Sequence, residues 1–340
     1  MSIDIVGDES GSEGENLSAA SHQFFTYGTS ALSHAEAADV VARTRQAIGS
    51  TMTDIHESRE LKSAQLIKRH RSVVESLFSD GGPISESSSI YLVDKTKFLA
   101  GKMVSLLIEE HQHGIGNTLG PETEGLLANE LHDVALPALG PRERARLLST
   151  FNVLSRSYKT SYGPEGRAHA FVAALRDAML SLDHGPAVVA LSRLWFSRAE
   201  AYVIEKSSGE EGMRTYDLEP MLPAMLVVAA TWHQRLKGSS FRIVMDEYAQ
   251  FTPDMGLWVT RVANDMFKIP LKDVVQVVSR EDPRVQVADW IAGVGRVAVT
   301  EVSRGDINAL TDAMRPLIDG QSMYSLKSPI AAWLHPELFA

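Results

Sequence analysis

The feature that most constrains this chain is its first apolar run, which stops abruptly at two acids. The run Ile3-Asp4-Ile5-Val6-Gly7 is followed by Asp8-Glu9-Ser10-Gly11 and then by a Gly/Ser/Glu-rich stretch. A short apolar run bounded by turn residues is typical of a buried strand. The sequence therefore predicts a strand that carries carboxylates to one edge of a sheet, with the remainder of the chain gathered around that edge.

Two later segments place acids in a comparable setting. Asp246 ends the apolar run that begins at Phe241, and Asp289 lies in the first turns of a helix that starts near Pro283. Ligands of open α/β sheets bind outside the carboxyl ends of the strands. We therefore expect Asp8, Asp246 and Asp289 to form an acidic pocket, and hard carboxylate oxygens with positions left for water suit Mg²⁺ or Mn²⁺.

Each of these acids also has a simpler interpretation. Asp8 could simply cap the turn into the Gly/Ser loop, since Asp and Ser beside Gly are ordinary turn residues. Asp246 could be a solvated strand end, and Asp289 could be an acid favoured by the dipole at a helix N-terminus. The metal-site interpretation depends on all three side chains meeting in space, because none of them is specific when taken alone.

The order of the remaining elements predicts an α/β protein with a large helical insertion. After the first strand, we predict a strand at 22–32 antiparallel to it and a helix at 34–48. An amphipathic helix that opens with Glu60 and Lys62 follows, and then a strand at 89–98 with Asp94 and Lys95 at its far end. Strand, helix, strand, helix then follow at 241–247, 253–266, 273–279 and 283–303, which is typical of crossovers on a parallel sheet. We predict a core of residues 1–98 and 237–340, with 99–236 as a mainly helical insertion or cap.

Composition excludes several kinds of site. The chain of 340 residues has no cysteine, which excludes thiol nucleophiles, cysteine-ligated zinc and iron–sulfur clusters. Any metal must therefore be bound by oxygen or imidazole. The longest apolar run, 221–232, is much shorter than the roughly 20 residues needed to span a bilayer, and no secretory signal is visible. We expect a soluble, cytoplasmic protein without a membrane partner.

The charge distribution leaves room for a polyanionic partner. The net charge is −10, which argues against non-specific coating of nucleic acid. Residues 141–198 nevertheless hold nine Lys and Arg against four Asp and Glu. This basic segment could bind a nucleic-acid backbone, with Lys62 or Lys95 contacting a phosphate oxygen, or it could be a set of solvated helix faces.

Four motifs together resemble the bacterial domain of unknown function family 3800, whose fold is similar to that of ribonuclease H. They are Asp8-Glu9-Ser10-Gly11, Glu60-Leu61-Lys62, Ile243-Val244-Met245-Asp246-Glu247 and the stretch from Ser279 to Ile291. The most specific part is Gln286-Val287-Ala288-Asp289, at the end of the fourth motif. The resemblance touches both ends of the chain and leaves the helical middle unassigned.

The resemblance implies a ribonuclease H-like mixed sheet with flanking helices, in which Asp8, Asp246 and Asp289 form the acidic cluster and Glu60 is a fourth member. Such nucleases cut phosphodiesters of DNA or RNA with divalent ions held by acids. We therefore expect a metal-dependent hydrolase, and specifically a nuclease. Two alternatives remain open: a non-catalytic binding or assembly module that forms a homo-oligomer or docks a partner protein through the helical middle, and a phosphatase of small phosphoesters.

Overall fold

The computed structural model describes residues 3–12, 14–18, 21–49, 61–156, 166–207, 218–248 and 251–339. Within these residues the fold is α/β, with one five-stranded mixed sheet. The strands are β1 (Ile3–Ser10), β2 (Phe24–Ser30), β3 (Ser88–Asp94), β4 (Phe241–Asp246) and β5 (Leu271–Val277). In agreement with the sequence, the strands come from the two ends of the chain and a long helical stretch separates β3 from β4.

The strand order across the sheet is β3-β2-β1-β4-β5. As predicted, β2 runs antiparallel to β1, and β3 is in turn antiparallel to β2. β4 is parallel to β1, and β5 is parallel to β4. The carboxyl ends of β1, β4 and β5 therefore share one edge of the sheet, together with the start of β2 and the end of β3. We call this edge the acidic edge, because Asp8, Glu9 and Asp246 lie there.

Helices from both ends of the chain cover one face of the sheet. They are α1 (His34–Ala47), α2 (Ser63–Arg69), α3 (Arg71–Phe78), α14 (Pro283–Ser303) and α15 (Ala309–Met314). Trp290 and Val287 of α14 pack into a cluster with Ile90 of β3. Gly28 lets α14 lie directly on β2, because a Cβ at this position would collide with the backbone nitrogen of Ala292. This close approach fixes α14, and with it Asp289, against the sheet.

The helical middle of the chain covers the opposite face. Its helices are α4 (Lys95–Met103), α5 (Glu110–Gly114), α6 (Pro121–Glu130), α7 (Leu136–Ala138), α8 (Pro141–Leu154), α9 (Gly166–Leu180), α10 (Pro186–Phe196), α11 (Ala199–Ser207) and α12 (Met221–Arg235). Their buried side chains share one hydrophobic cluster with Ile5, Tyr27 and Ile243 of the sheet. Helix α13 (Pro253–Asp265), between β4 and β5, joins the same cluster through Val259. The division into a core and an insertion stays a prediction.

Some predicted boundaries are wrong. Lys95 begins α4 and does not extend β3, because the Asp94 side chain accepts hydrogen bonds from the amides of Thr96 (2.8 Å) and Lys97 (3.3 Å) and so caps the helix. The single amphipathic helix predicted after Glu60 is two helices, α2 and α3, interrupted at His70. Strand β5 begins at Leu271, two residues earlier than predicted. None of the helices in the described ranges has the length and apolar character needed to cross a membrane.

Candidate active site at the acidic edge

Asp8 and Glu9 lie near the carboxyl end of β1. Asp8 pairs with Gly28 of β2, and Glu9 pairs with Tyr27. Side chains alternate between the two faces of a strand, so Asp8 lies on the α14 face, as Val6 does where it packs against Val285. The Asp8 side chain is only 7% exposed, and its Oδ1 accepts a hydrogen bond from the Glu9 amide at 2.8 Å. The first strand therefore delivers a buried carboxylate to the edge.

Asp246 stands beside Asp8 in the neighbouring strand. The last paired residues of β1 and β4 are Gly7 and Met245, and the two aspartates are each one residue further along. Parallel neighbours lie about 5 Å apart in a sheet, so the backbones of Asp8 and Asp246 are adjacent. Asp246 Oδ1 accepts hydrogen bonds from the amides of Glu247 (2.8 Å) and Ser279 (3.2 Å).

Asp289 reaches the same edge from α14 and is held there by the first residue of α2. The Ser63 amide donates to Asp289 Oδ2 at 2.9 Å, and the Ser63 hydroxyl donates to Oδ1 at 3.2 Å. Gly293, one turn further along α14, makes room for this contact, because a Cβ there would collide with the Ser63 side chain. The indole nitrogen of Trp290 donates to the Leu61 carbonyl at 2.5 Å and fixes the preceding backbone.

The electrostatics of the edge show that these acids share one environment. Burial raises the pKa of Asp8 well above its usual value, and the charges of Glu9 and Asp289 raise it further. Burial also raises the pKa of Glu9; the charges of Asp246 and Asp289 add to this, while a hydrogen bond with Asp8 opposes it. The structure thus brings Asp8, Asp246 and Asp289 together, and it adds Glu9, which the predicted site did not include. Their catalytic role stays a prediction.

Glu60, the fourth predicted site residue, lies outside the described residues. The described neighbours of Glu60 in its motif do approach the site: Leu61 contacts Trp290, and Lys62 precedes Ser63 at the start of α2. The Ser63 contact to Asp289 was missed from the sequence. A serine after a lysine carries no signal for pairing with a carboxylate more than two hundred positions away.

A second buried acid enters the edge from the helical middle. Glu219, just before α12, accepts hydrogen bonds from the Tyr248 hydroxyl (3.1 Å) and the Met221 amide (3.2 Å). The Tyr248 hydroxyl also bonds to Ser12 Oγ at 3.1 Å. Burial raises the pKa of Glu219 to about 7, and the charges of Glu15 and Glu9 contribute to this rise. The hydrogen bonds of Glu219 to Tyr248 and of Tyr248 to Ser12 thus connect the segment after Asp246 to the segment after Glu9.

The acidic edge offers hard oxygen donors, but their side chains are not drawn together around one point. In the described part of the chain, no three His, Cys, Asp or Glu side chains are arranged to hold an ion. Both carboxylate oxygens of Asp289 are engaged by Ser63. No Lys, Arg or His in that part of the chain pairs with Asp8, Glu9 or Asp246. Neighbouring carboxylates that raise one another's pKa are groups that a bound Mg²⁺ or Mn²⁺ would stabilise.

In the described parts of the predicted basic segment, 141–156 and 166–198, the cations do not form a continuous basic face. Arg146 pairs with Asp177 at 2.6 Å, Arg193 pairs with Glu130, and Arg167 is buried. Arg144 is exposed and lines a cavity together with Lys95, which is itself buried. Arg144 and Lys95, both expected to contact phosphate, therefore line the same cavity. Other cations of the segment, such as Arg146 and Arg193, are paired with acids.

Comparison of the chain with family models, with curated proteins and with solved structures finds no match. Function is therefore inferred from the chemistry of the acidic edge, where β1, β4 and α14 bring four carboxylates together.

Proposed function

We propose that this protein is a divalent-metal-dependent nuclease that hydrolyses phosphodiester bonds of DNA or RNA at the acidic edge. The observation that carries the proposal is the convergence of Asp8, Glu9, Asp246 and Asp289 from three separate elements. Carboxylates that lie close together repel one another and destabilise a fold. A cluster of this kind is therefore better explained by a cation that binds there than by a role in packing.

The fold supports a ribonuclease H-like core. The sheet is mixed, with helices on both faces, as the resemblance implies. Three of the four motifs that carry the resemblance also meet in space: Asp8-Glu9 lies at the end of β1, Asp246 ends β4, and Gln286 and Asp289 lie in the first two turns of α14. Residues separated by more than two hundred positions thus reach one edge of the sheet.

Asp8, Asp246 and Asp289 would hold the metal, with Glu9 alongside. Bound Mg²⁺ or Mn²⁺ supplies an activated water and stabilises the leaving oxygen of the phosphodiester. Burial favours a proton on the Asp8 and Glu9 carboxyls in the free protein, so metal binding must displace that proton. Ser63 orients the Asp289 carboxylate, and the Glu219–Tyr248–Ser12 hydrogen bonds hold the two chain segments that follow the acids.

The charge of the edge makes the metal necessary for substrate binding as well as for cleavage. Several carboxylates along one edge repel a phosphodiester. We therefore expect phosphate to approach this edge only when a divalent cation is present. Chelation should then weaken binding of the substrate near the acids, in addition to stopping its cleavage.

The test is hydrolysis by purified protein of single- and double-stranded DNA, RNA and a chromogenic phosphate ester, in Mg²⁺, in Mn²⁺ and in chelator. We expect cleavage of a nucleic acid only with the metal, and its loss in Asp8→Asn, Asp246→Asn and Asp289→Asn. The exposed Asp265→Asn serves as a control that should retain activity. Activity that persists in chelator or in Asp8→Asn contradicts the proposal, and hydrolysis of the small ester alone would favour a phosphatase.

A further inference from the structure

A cavity of about 640 Å³ opens at the same edge of the sheet, beside the end of β3. It is bounded by the segments before β2 and after β1, the start of α4, part of α8 and the segment that leads into α16 (Pro329–Leu334). This volume is in the range of small-molecule sites, which combine an apolar wall with a few charged groups. The cavity is distinct from the carboxylate cluster, since none of the four acids lines it.

The two carboxylates in the cavity already have hydrogen-bond donors. Asp94 Oδ1 accepts from the amides of Thr96 and Lys97, and its Oδ2 accepts from Gln23 Nε2 at 3.0 Å. Asp133 Oδ1 is bonded to His132 Nδ1 at 2.5 Å. These acids are therefore part of the wall of the cavity, and their repulsion of an anion is reduced by the donors around them.

The cations of the cavity outnumber these acids. Arg144 and Lys327 are exposed at its rim, and Lys95 lines its interior at 2% exposure. Over the described ranges, neither Arg144 nor Lys327 takes part in an ion pair. Two exposed cations without an acid partner, beside a cavity, are suited to a phosphate group.

Part of the remaining wall of the cavity is apolar, beside polar side chains such as His22 and Ser325. Leu136, Pro137 and Leu148 line it together with Leu17. A ligand that fits this lining has an anionic group at the rim and a flat or apolar body inside. A nucleotide has both parts, with its phosphate as the anion and its base as the body.

The sheet register relates the cavity to the acidic cluster. Asp94 of β3 pairs with Phe24 of β2, whereas Asp8 of β1 pairs with Gly28 of β2. The two acids are thus separated by two strand spacings and by four residues along the strands, or about 16 Å. This distance corresponds to about five base steps of a duplex strand. A nucleic-acid strand with one phosphate at the carboxylates can therefore extend to the cavity.

We infer that the cavity between α4, α8 and α16 is a nucleotide subsite, which binds a flanking nucleotide of the substrate strand through Arg144 and Lys327. This inference rests on the proposed nuclease function. Free mononucleotides have the same chemistry, so the experiment must separate the two sources. The subsite would supply binding energy remote from the reacting phosphate and set the direction of the strand across the acidic edge.

The test uses the full chain carrying Asp8→Asn, so that bound substrate stays intact, with Mg²⁺ in enough excess to occupy the weakened metal site. It measures fluorescence anisotropy of labelled single-stranded DNA and RNA over a range of salt concentrations. The double variant Arg144→Gln/Lys327→Gln is compared with Arg261→Gln/Lys272→Gln. The second pair removes the same charge from exposed positions on α13 and β5, away from the cavity. Binding of adenosine monophosphate is measured in parallel.

We expect the cavity pair to bind the oligonucleotide roughly tenfold more weakly than the control pair and to lower the salt slope by about 2, about one for each lost phosphate contact. Equal affinity in the two pairs overturns the inference, and the proposed nuclease function is then unaffected if the wild-type protein still cleaves. Cavity-dependent binding of adenosine monophosphate without oligonucleotide binding also overturns it, in favour of a free nucleotide. Absence of cleavage, with cavity-dependent oligonucleotide binding, contradicts the nuclease proposal and leaves the subsite supported.

Discussion

The substitution Glu219→Gln tests whether burial of this carboxylate at the acidic edge lowers folding stability. Glu219 is only 1% exposed, and burial raises its pKa from 4.5 to about 7. The folded state therefore retains a proton that the unfolded chain releases between these pH values. Folding stability must fall as the pH rises through this window, since ionisation of Glu219 is disfavoured in the folded protein.

The magnitude follows from the size of the pKa change. Because of this pKa difference, Glu219 lowers the free energy of unfolding by about 3 kcal/mol at pH 8 and by under about 1 kcal/mol at pH 5. Glutamine reproduces the protonated side chain: its amide nitrogen can donate to the Tyr248 hydroxyl while its oxygen accepts from the Met221 amide. Relative to wild type, Glu219→Gln should gain about 2.5 kcal/mol of unfolding free energy between pH 5 and pH 8.

The assay is urea unfolding of the two proteins at pH 5 and pH 8, followed by circular dichroism in the absence of divalent metal. The comparison of variant with wild type cancels the titration of acids that do not interact with Glu219, such as Asp8. Glu281→Gln, at an exposed position, is the control and should show the same stability difference at both pH values. A difference between Glu219→Gln and wild type that does not change with pH would refute the argument.

Three further predictions concern the acidic edge and its support. Asp8→Asn should leave the melting temperature of the metal-free protein close to that of wild type at neutral pH, because burial already favours a proton on Asp8, and should weaken stabilisation by Mn²⁺; calorimetry with and without metal measures both. Ser63→Ala should weaken Mn²⁺ binding, as seen by isothermal titration, while costing about 1 kcal/mol of stability through the hydroxyl bond lost to Asp289. Gly28→Ala should destabilise the fold by about 1–3 kcal/mol, because the added Cβ pushes α14 away from β2. The control Gly101→Ala, where a Cβ within α4 meets open space, should not be destabilising. A Gly28→Ala protein as stable as wild type would contradict the packing argument.

Local patterns in the sequence were sufficient for the strands and for the acids that end them. The apolar runs of β1 and β4 predict buried strands that stop at Asp8 and Asp246, and both strands begin and end close to the predicted residues. The position of Asp289 near the start of a long helix was also correct. These features are encoded within a few residues, by hydrophobic periodicity and by the turn residues that follow.

Local patterns failed where a side chain competes with the strand for the backbone. The residues after Asp94 have strand-like composition, yet the Asp94 carboxylate binds two amides and starts α4. Lys95, for which a phosphate contact is predicted, therefore lies buried in the wall of a cavity.

The sequence by itself determined the α/β class, the end of β1 at two acids, and the absence of thiol chemistry, since each of these depends on residue type and near-neighbour spacing. Only the tertiary structure decided that Ser63 holds Asp289, that Glu219 of the helical middle joins the acidic edge through Tyr248, and that Arg144 and Lys327 border one cavity. These pairs are far apart along the chain, and the helices and sheet have to pack before their distances exist. Burial, which raises the pKa values of Asp8, Glu9 and Glu219, is likewise a property of the packed molecule.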